Sequence, residues 1–310
     1  MVKGAEPEAD VTLDAAGSAS ATMRAASRPR AALAAMRTDP RWLFGVVLGV
    51  LALAAIFAPW VAPYPPLQYH PAIQAQPPTA AHLLGTDDLG RDQLSRVIYG
   101  ARISLTVGVT AILAGGVAGV LLGIVGGYAR GWVDQVITIV VDALLAFPPL
   151  LLPLAIAAML GPSVVNLIAA LAIARIPVYA RLARGQALQI RSLDYVTAAR
   201  GVGTRARAIL LRHLLPNIFS PLLVQATISV SLAILDESVL SFLGLGAQPP
   251  TPDWGSMISA AQTYLNTDPW MMLGPALAII VTVLSLNLLG DALRDRLDPY
   301  TAGQLAFTKR

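Results

Sequence analysis

The sequence of 310 residues contains no cysteine, and only 13% of its residues are charged. The lack of cysteine excludes disulfide bonds, thiolate zinc sites and cysteine nucleophiles. The low charge is more informative, because soluble domains carry roughly 25% charged residues. Since 55% of the chain is apolar, it lacks the polar surface that a water-soluble protein of this size needs. We therefore predict an all-α integral membrane protein.

Motifs for catalysis and metal binding are also missing. The three histidines, His70, His82 and His213, do not have the spacing of a metal site, and no Gly-Lys pair exists for a nucleotide-binding P-loop. The sequence has neither G-x-S-x-G nor H-E-x-x-H. We predict a chain that is not an enzyme, binds no metal and carries no cofactor of its own. Any uphill transport would take its energy from a partner or from an ion gradient.

Long apolar runs, by contrast, recur along the chain. A run of about 20 apolar residues crosses a hydrocarbon core of ~30 Å. We predict about six transmembrane helices, at residues 42–62, 103–127, 135–160, 164–182, 217–245 and 273–290, within a membrane domain of residues 42–300. A cleaved signal peptide is disfavoured for the first run, because 41 residues precede it and proline follows it.

Glycine and proline distinguish two of these predicted spans. In the second span, Gly116, Gly119 and Gly123 have the small-residue spacing that allows helices to pack closely. In the third span, Pro148 and Pro149 leave backbone carbonyls unpaired. Such carbonyls are tolerated only against other protein or a water-filled cavity. We therefore expect a close helix contact for the second span, and either other protein or a water-filled cavity beside the prolines of the third.

The distribution of basic residues predicts the orientation. With both termini inside, 18 arginines and lysines lie on the inner side and 3 on the outer side, as the positive-inside rule requires. The net charge of +4 is then a topology signal, and we expect no nucleic-acid partner. Residues 1–41 are predicted to be a disordered cytoplasmic tail and residues 301–310 a second tail. Arg175, within the fourth span, is expected to snorkel to the inner surface.

Residues 181–216 form the longest inner loop between predicted spans. Ala198 and Ala199 keep one helix face thin, so that a partner can approach closely. Gly203 permits a turn, and Pro216 is predicted to stop the helix that follows the turn. Arginines on the other faces can pair with acidic groups. The alternative is a basic amphipathic stretch lying on lipid.

The spacing within this loop resembles the cytoplasmic signature of bacterial ABC importer permeases. The resemblance implies a coupling helix that seats in a groove of a separate ATPase subunit. Thr197 stands where the signature has glutamate, so one charge is missing from that contact, whereas His213 is usual in the peptide branch. The residues assigned to ATPase coupling are Asp194, Thr197, Ala198, Ala199, Arg200, Gly203, Arg212, His213, Leu215 and Pro216.

Three further segments, residues 84–105, 241–255 and 287–299, resemble the C-type (DppC/OppC-like) subunits of peptide- and nickel-type importers. The resemblance covers residues 40–300 and implies a type I ABC importer permease fold in the bacterial inner membrane. It also implies a homologous second permease as heterodimer partner, two ATPase domains that use ATP and Mg, and an extracytoplasmic substrate-binding protein. Dipeptides or oligopeptides are the expected substrates, with nickel, haem or another small solute as alternatives.

Two sets of polar residues have alternative interpretations. Acids and bases of residues 85–102 are predicted to form a structural salt-bridge network, with contact to the external binding protein as the alternative for Asp87, Asp88, Arg91, Asp92 and Trp254. Polar residues within the spans, Asp142, Glu237 and Gln225, are predicted to line the translocation pathway, with structural pairing as the alternative for the acids. A buried charge costs ~2.5–3.5 kcal/mol on insertion scales. Asp236 and Glu237 point about 100° apart on a helix, so they cannot both face a pore.

Two rival functions remain at this stage. An ion-driven secondary transporter acting alone would need an acidic residue in mid-membrane and would show internal repeats, which we do not find in the sequence. A membrane scaffold without transport activity would leave the patterned inner loop unexplained. Deleting residues 191–216 and testing for ATPase co-purification distinguishes the permease from both.

Overall fold

Helices make up most of the chain that this computed structural model describes, residues 41–129 and 131–297. The described residues from Leu43 onward belong to one compact unit, and of the other unit, Met1–Trp42, only Arg41 and Trp42 are described. The helices are α1 Trp42–Ile56, α2 Ala58–Val61, α3 Gln93–Ala129, α4 Gly131–Leu145, α5 Leu151–Leu160, α6 Val164–Arg191, α7 Asp194–Gly201, α8 Ala206–Ile209, α9 Leu215–Phe242, α10 Trp254–Gln262 and α11 Trp270–Leu297. The two predicted tails lie outside the described residues, apart from Arg41.

Among the described residues, four helices are long and apolar enough to cross a membrane: α3, α6, α9 and α11. They contain the second, fourth and sixth predicted spans, and the fifth, residues 217–245, as far as Phe242, where α9 ends. Two shorter apolar helices, α1 and α5, lie in the first and third predicted spans. The prediction of an all-helical membrane protein is confirmed, and the number of six crossings stays a prediction.

The third predicted span, residues 135–160, is not one continuous helix. Helix α4 ends at Leu145, and α5 begins at Leu151 after a turn that contains Pro148 and Pro149. The break has a simple cause, because a proline disfavours helical backbone at the residue before it and donates no N–H hydrogen bond. The consequence is that α4 and α5 can take different directions, which a single span could not.

Helices α3 and α6 form the most extensive helix pair among the described residues. Gly115, Gly119 and Gly123 lie on the face of α3 that meets the backbone of α6. A Cβ added at Gly119 would touch the carbonyl oxygen of Ile176 and lie 2.7 Å from the Cβ of Tyr179. The small-residue spacing therefore does produce a close helix contact, as predicted.

Substitution of alanine for Gly119 is expected to destabilise the chain. Alanine favours an isolated helix over glycine by about 1 kcal/mol, but overpacking a tight contact costs about 1–3 kcal/mol. The backbone of α6 cannot rotate away as a side chain could, so the second effect outweighs the first. Thermal unfolding of the purified protein in nanodiscs measures the difference.

The matched control is Gly49→Ala, because no atom lies within 4 Å of a Cβ built at Gly49 of α1. There the helix preference acts alone, and the unfolding temperature is expected to stay the same or to rise. Equal effects of the two substitutions would contradict the close contact between α3 and α6.

Candidate functional site

The segment between α6 and α9, residues 191–216, folds into what we call the inner hairpin. Helix α7 leads to a turn at Gly203, whose φ of +77° favours glycine. The returning arm is α8 followed by a π-helical turn over Leu210–Leu214, in which the N–H of Leu215 donates to the carbonyl of Leu210. The helix–glycine turn–helix prediction is confirmed.

Pro216 does not stop the second arm, which corrects the prediction. It lies in the first turn of α9, and the chain runs from the π-helical turn into that helix without a break. Proline is tolerated in a first helical turn because its missing N–H has no helical partner there. The returning arm is therefore joined directly to a long helix, and movement of the arm reaches α9 without a flexible link.

The root of the inner hairpin is buried. Val196 of α7, Ile209 of α8 and Leu214 of the π-helical turn are each fully buried. They share one hydrophobic cluster with Ile124 of α3 and Ile190 of α6. The hairpin therefore shares one packed core with the adjoining ends of α3 and α6.

Arg191, at the end of α6, joins the hairpin root to the end of α3. Its Nη1 donates to the carbonyl oxygen of Tyr128 at 2.7 Å, and its guanidinium lies 5.8 Å from the centre of the Tyr128 ring. Cations and aromatic rings attract at this distance. In the sequence Arg191 is one of the basic residues that indicate topology, and the structure shows that it also binds the last carbonyls of α3.

The outward face of α7 is thin and exposed. Asp194, Thr197, Ala198 and Gly201 are exposed at the i, i+3, i+4, i+7 spacing of one helix face. Ala199 is half-buried and so does not lie on this face. The predicted thin face therefore includes Ala198 but not Ala199. Beyond α7 the tip carries Val202, which is 83% exposed.

The remaining predicted coupling residues lie on the same segment. Arg212, Leu215 and Pro216 are exposed along the returning arm and the start of α9. The side chains of Arg200 and His213 lie outside the described residues. The hairpin thus presents small and apolar side chains outward, together with the charged Asp194 and Arg212. Such a mixed surface is suited to docking in a groove of a partner protein.

Asp142, predicted to line the pathway, is a surface residue in this chain. Its Oδ1 accepts from Nη2 of Arg181 at 2.5 Å, and the two side chains are 54% and 62% exposed. Asp142 is therefore in an ion pair, and its place in the pathway stays a prediction. One turn along α6, Arg184 makes a bidentate pair with Asp134 of α4, at 2.5 and 2.8 Å. Both pairs hold α4 against α6.

Glu237 is buried within the chain, which corrects its assignment to an open pathway. Its oxygens lie 3.3 Å from the Ser238 hydroxyl and 3.4 Å from the Ser241 hydroxyl, and its side chain is completely enclosed. Asp236 points in a different direction and pairs with Arg175 of α6. This agrees with the angle of about 100° between neighbouring residues on a helix. Arg175 is thus held by an ion pair and does not snorkel to the surface.

Gln225 does line an open space. It faces a groove of about 420 Å³ between α6, α9 and α11, together with Val224, Leu182 and Arg294. Its Nε2 donates to the Ser229 hydroxyl at 3.0 Å. The amide oxygen and the exposed Arg294 leave both a hydrogen-bond acceptor and a cation available in this groove.

The outer segment forms part of the predicted salt-bridge network: Asp87, Asp88, Arg91 and Arg96 pair with one another, whereas Asp92 pairs with His82 and Arg102 is in no ion pair with the described acids. Asp87 is buried, accepts from Nε of Arg91 at 2.7 Å and pairs with Arg96 at 3.2 Å. Asp88 lies 3.7 Å from Arg91. Asp92, also buried, accepts from the backbone N–H of Ser95 at 2.8 Å and so starts α3. Asp87 and Asp92 are structural residues.

Trp254, proposed as a contact for the binding protein, is fully buried. Its Nε1 donates to the carbonyl oxygen of Val97 at 3.0 Å, and its ring fills the space beside Gly100 of α3. It is preceded by Asp253, which caps α10 by accepting from the N–H of Ser256 at 2.9 Å. Burial raises the pKa of the Asp253 carboxyl. Trp254 holds α10 against α3, and Asp253 caps the start of α10. Both side chains are buried, so neither presents a surface to a partner.

The sequence of this chain has clear relatives. A family model described as the binding-protein-dependent transport system inner membrane component matches residues 119–302. A second, described as the N-terminal TM domain of oligopeptide transport permease C, matches residues 41–78. Among solved structures, the crystal structure of an amino acid ABC transporter with histidines covers 65% of this chain and 94% of that chain, with a TM-score of 0.51 and 17% identity. That likeness supports the fold alone.

Curated relatives are more similar in sequence. The dipeptide transport system permease protein DppC of Alkalihalophilus pseudofirmus is 40% identical over 82% of this chain and 84% of that protein. The di/tripeptide transport system permease protein DppC of Pseudomonas aeruginosa is 44% identical over 81% and 84%. The glutathione transport system permease protein GsiD of Escherichia coli is 46% identical over 82% and 84%. The chain therefore belongs to the binding-protein-dependent transport system inner membrane component family, as a multi-pass ABC transporter permease of the OppC/DppC type whose ATPase lies in separate subunits.

Proposed function

We propose that the chain forms half of the translocation pathway of an ATP-driven importer for short peptides, beside a homologous second permease. The inner hairpin is the observation that supports this most directly. Its root is packed into the core, and its thin face and Val202 tip are exposed. A surface of this kind gains free energy by docking in a partner's groove.

The hairpin is proposed to pass on movement generated elsewhere. When the partner ATPase subunits bind and release ATP, they push on or pull away from the exposed face of α7. Because Val196 and Leu214 share a core with Ile124 and Ile190, the inner ends of α3 and α6 follow the hairpin. Rocking of packed helices about a central site is how transporters alternate their access.

Short peptides are the proposed substrates. The three relatives described above are named for dipeptides, di/tripeptides and glutathione, all of which carry amide groups and a free carboxylate. The groove contains Gln225 and Arg294. The side-chain amide of Gln225 can hydrogen-bond to the peptide amides, and the guanidinium of Arg294 can pair with the carboxylate. We infer that this groove forms the inner part of the path. Of the alternative substrates, a nickel ion carries neither group, whereas haem carries carboxylates but no amide.

Reconstitution tests this function. The purified chain is placed in proteoliposomes with its partner permease, ATPase subunits and binding protein, and uptake of a labelled dipeptide and of glutathione is measured. ATP-dependent uptake of either peptide, absent without the ATPase subunits, is the expected result. Uptake of nickel or haem in place of peptides would overturn the peptide assignment. Uphill uptake by the chain alone would overturn the whole proposal.

We also propose that both termini are cytoplasmic, as the 18-to-3 distribution of basic residues indicates. Since the chain contains no cysteine, a single introduced cysteine can be labelled without background. Val202→Cys at the hairpin tip is expected to react with an impermeant maleimide only after inside-out exposure of the membrane. Ala72→Cys, exposed in the outer loop, is expected to react only from the outside. The reverse pattern would invert the topology.

A further inference from the structure

A groove on the surface between α1 and α3 is not used by the proposed transport function. Its volume is about 360 Å³. The lining consists of an arginine, two threonines and apolar residues: Ala52, Ala55, Ile56, Arg102, Leu105, Thr106, Val109 and Thr110. One end is therefore basic, and the rest is apolar apart from two hydroxyls.

Arg102 provides the charge at this groove. Its side chain is exposed, and it forms no ion pair with an acidic residue of 41–129 or 131–297. It differs in this from Arg91 and Arg96, its neighbours on the outer side, which both pair with Asp87. Thr106 is exposed one turn further along the same face of α3. An unpaired guanidinium with a hydroxyl below it fits an anionic oxygen cluster.

The basic end of the groove lies at the depth of lipid headgroups. Arg102 is the last residue before the predicted apolar span of α3. On the neighbouring chain segment, Phe57 and Trp60 follow the end of α1, and Trp60 is 78% exposed. Tryptophan at a helix end marks the interface between membrane and water. Arg102 and Trp60, on separate segments, are thus each expected in the headgroup region.

The apolar end can hold most of the length of an acyl chain in one leaflet, which is about half of the ~30 Å hydrocarbon core. Eight residues separate Arg102 from Thr110, which is about 12 Å along a helix. Over that distance the hydroxyl of Thr110 donates to the carbonyl of Thr106, at 2.5 Å, in its own helix. The lower half of the groove therefore presents only methyl and methylene groups, which pack against hydrocarbon.

We propose that this groove binds a glycerophospholipid, with the phosphate on Arg102 and Thr106 and an acyl chain along Ala52, Leu105 and Val109. On the proposed orientation of the chain, the lipid belongs to the outer leaflet. The bound lipid fills the contact between α1 and α3, and so holds the first helix against the helix that carries the glycine face.

Native mass spectrometry of the assembled transport complex tests the site. The complex is purified from membranes or from nanodiscs of phosphatidylethanolamine and phosphatidylglycerol, and phospholipid that survives detergent titration is counted. Arg102→Gln is expected to lower the occupancy of one retained phospholipid about tenfold, the effect of losing one charge-assisted hydrogen bond. Arg102→Lys, which keeps the cation, is expected to retain most of it.

A pair of substitutions on α1 controls for bulk. Ala52→Phe places a ring inside the groove and is expected to displace the lipid. Leu53→Phe adds the same ring beside it on an exposed position outside the groove lining, and is expected to leave the lipid count unchanged. Equal lipid retention in all four variants would overturn the proposal.

Photo-cross-linking shows whether the groove holds a lipid or a protein. It does not require an Arg102 variant that folds. A photo-reactive phenylalanine at Val109 is expected to form an adduct with the mass of a phospholipid. An adduct with the second permease would show that the groove is a subunit interface and would overturn the lipid site. Displacement of the retained species by inorganic phosphate alone would do the same, because a lipid is also held by its acyl chain.

Discussion

Replacement of Ala198 by tryptophan is expected to separate the permease from its ATPase subunits while leaving the chain folded in the membrane. Ala198 lies on the thin exposed face of α7, beside Thr197 and Gly201. An indole there keeps the partner's groove away from the helix backbone. Loss of a central contact in an interface costs at least about 2 kcal/mol, which is about thirtyfold in affinity. Peptide uptake and ATPase co-purification are both expected to fall at least this far.

The control is Ala72→Trp, which places the same side chain on an exposed position of the outer loop. Its ATPase co-purification is expected to equal that of the unaltered chain. Membrane content and thermal unfolding of both variants show whether folding is intact. Full ATPase binding by Ala198→Trp would show that α7 is not the docking face. That result would also leave the lipid groove at Arg102 untouched, since α1 and α3 form that site independently.

Substitution of alanine for Arg175 is expected to destabilise the permease severely. Arg175 of α6 pairs with Asp236 of α9, and each side chain is only 14% exposed. Removing one member of a buried pair leaves an uncompensated charge, which costs about 3–5 kcal/mol. We expect a large fall in unfolding temperature in nanodiscs and a loss of permease from the membrane. Arg175→Ala combined with Asp236→Asn is expected to recover part of the stability, because no lone charge remains.

The second ion pair of α6 supplies the matched control. Arg181 pairs with Asp142, and these side chains are 62% and 54% exposed. Exposed pairs contribute about 0–1 kcal/mol, so Arg181→Ala is expected to change the unfolding temperature only slightly. If Arg175→Ala and Arg181→Ala had the same effect, the buried pair would not hold α6 to α9.

Local patterns predicted several features that the structure confirms. The spacing of Gly119 and Gly123 predicted a close helix contact, because glycines at this spacing can be recognised without knowing which helix packs against them. Gly203 predicted the turn of the inner hairpin for the same reason, since its positive φ is a property of one residue. The acids and bases around Asp87 predicted a salt-bridge network, because all its members lie within a short stretch of chain.

Residues whose role depends on distant neighbours were predicted less well. Trp254 resembled an outer contact residue, but its ring packs beside Gly100 and its Nε1 bonds to Val97, more than 150 positions away by number. Glu237 resembled a pathway residue, but its helix turns it toward buried serines. Pro216 resembled a helix stop, although a π-helical turn before it lets the helix continue. The contact of Trp254 and the enclosure of Glu237 depend on other helices, which the local sequence does not show. The π-helical turn before Pro216 is a local feature that no sequence pattern indicated.

The sequence by itself determined that this chain is a helical membrane protein, that it lacks a nucleotide site, and that it belongs with the ABC importer permeases. These conclusions follow from the length of the apolar runs, from the missing motifs and from the spacing of residues within motifs. All three can be seen in the sequence without a structure. Only the tertiary structure decided which charges are paired, which polar residues face open space, and which face of α7 is exposed. The Arg175–Asp236 ion pair and the enclosure of Glu237 arise when helices far apart in sequence pack together. The order of residues along the chain does not show how those helices pack.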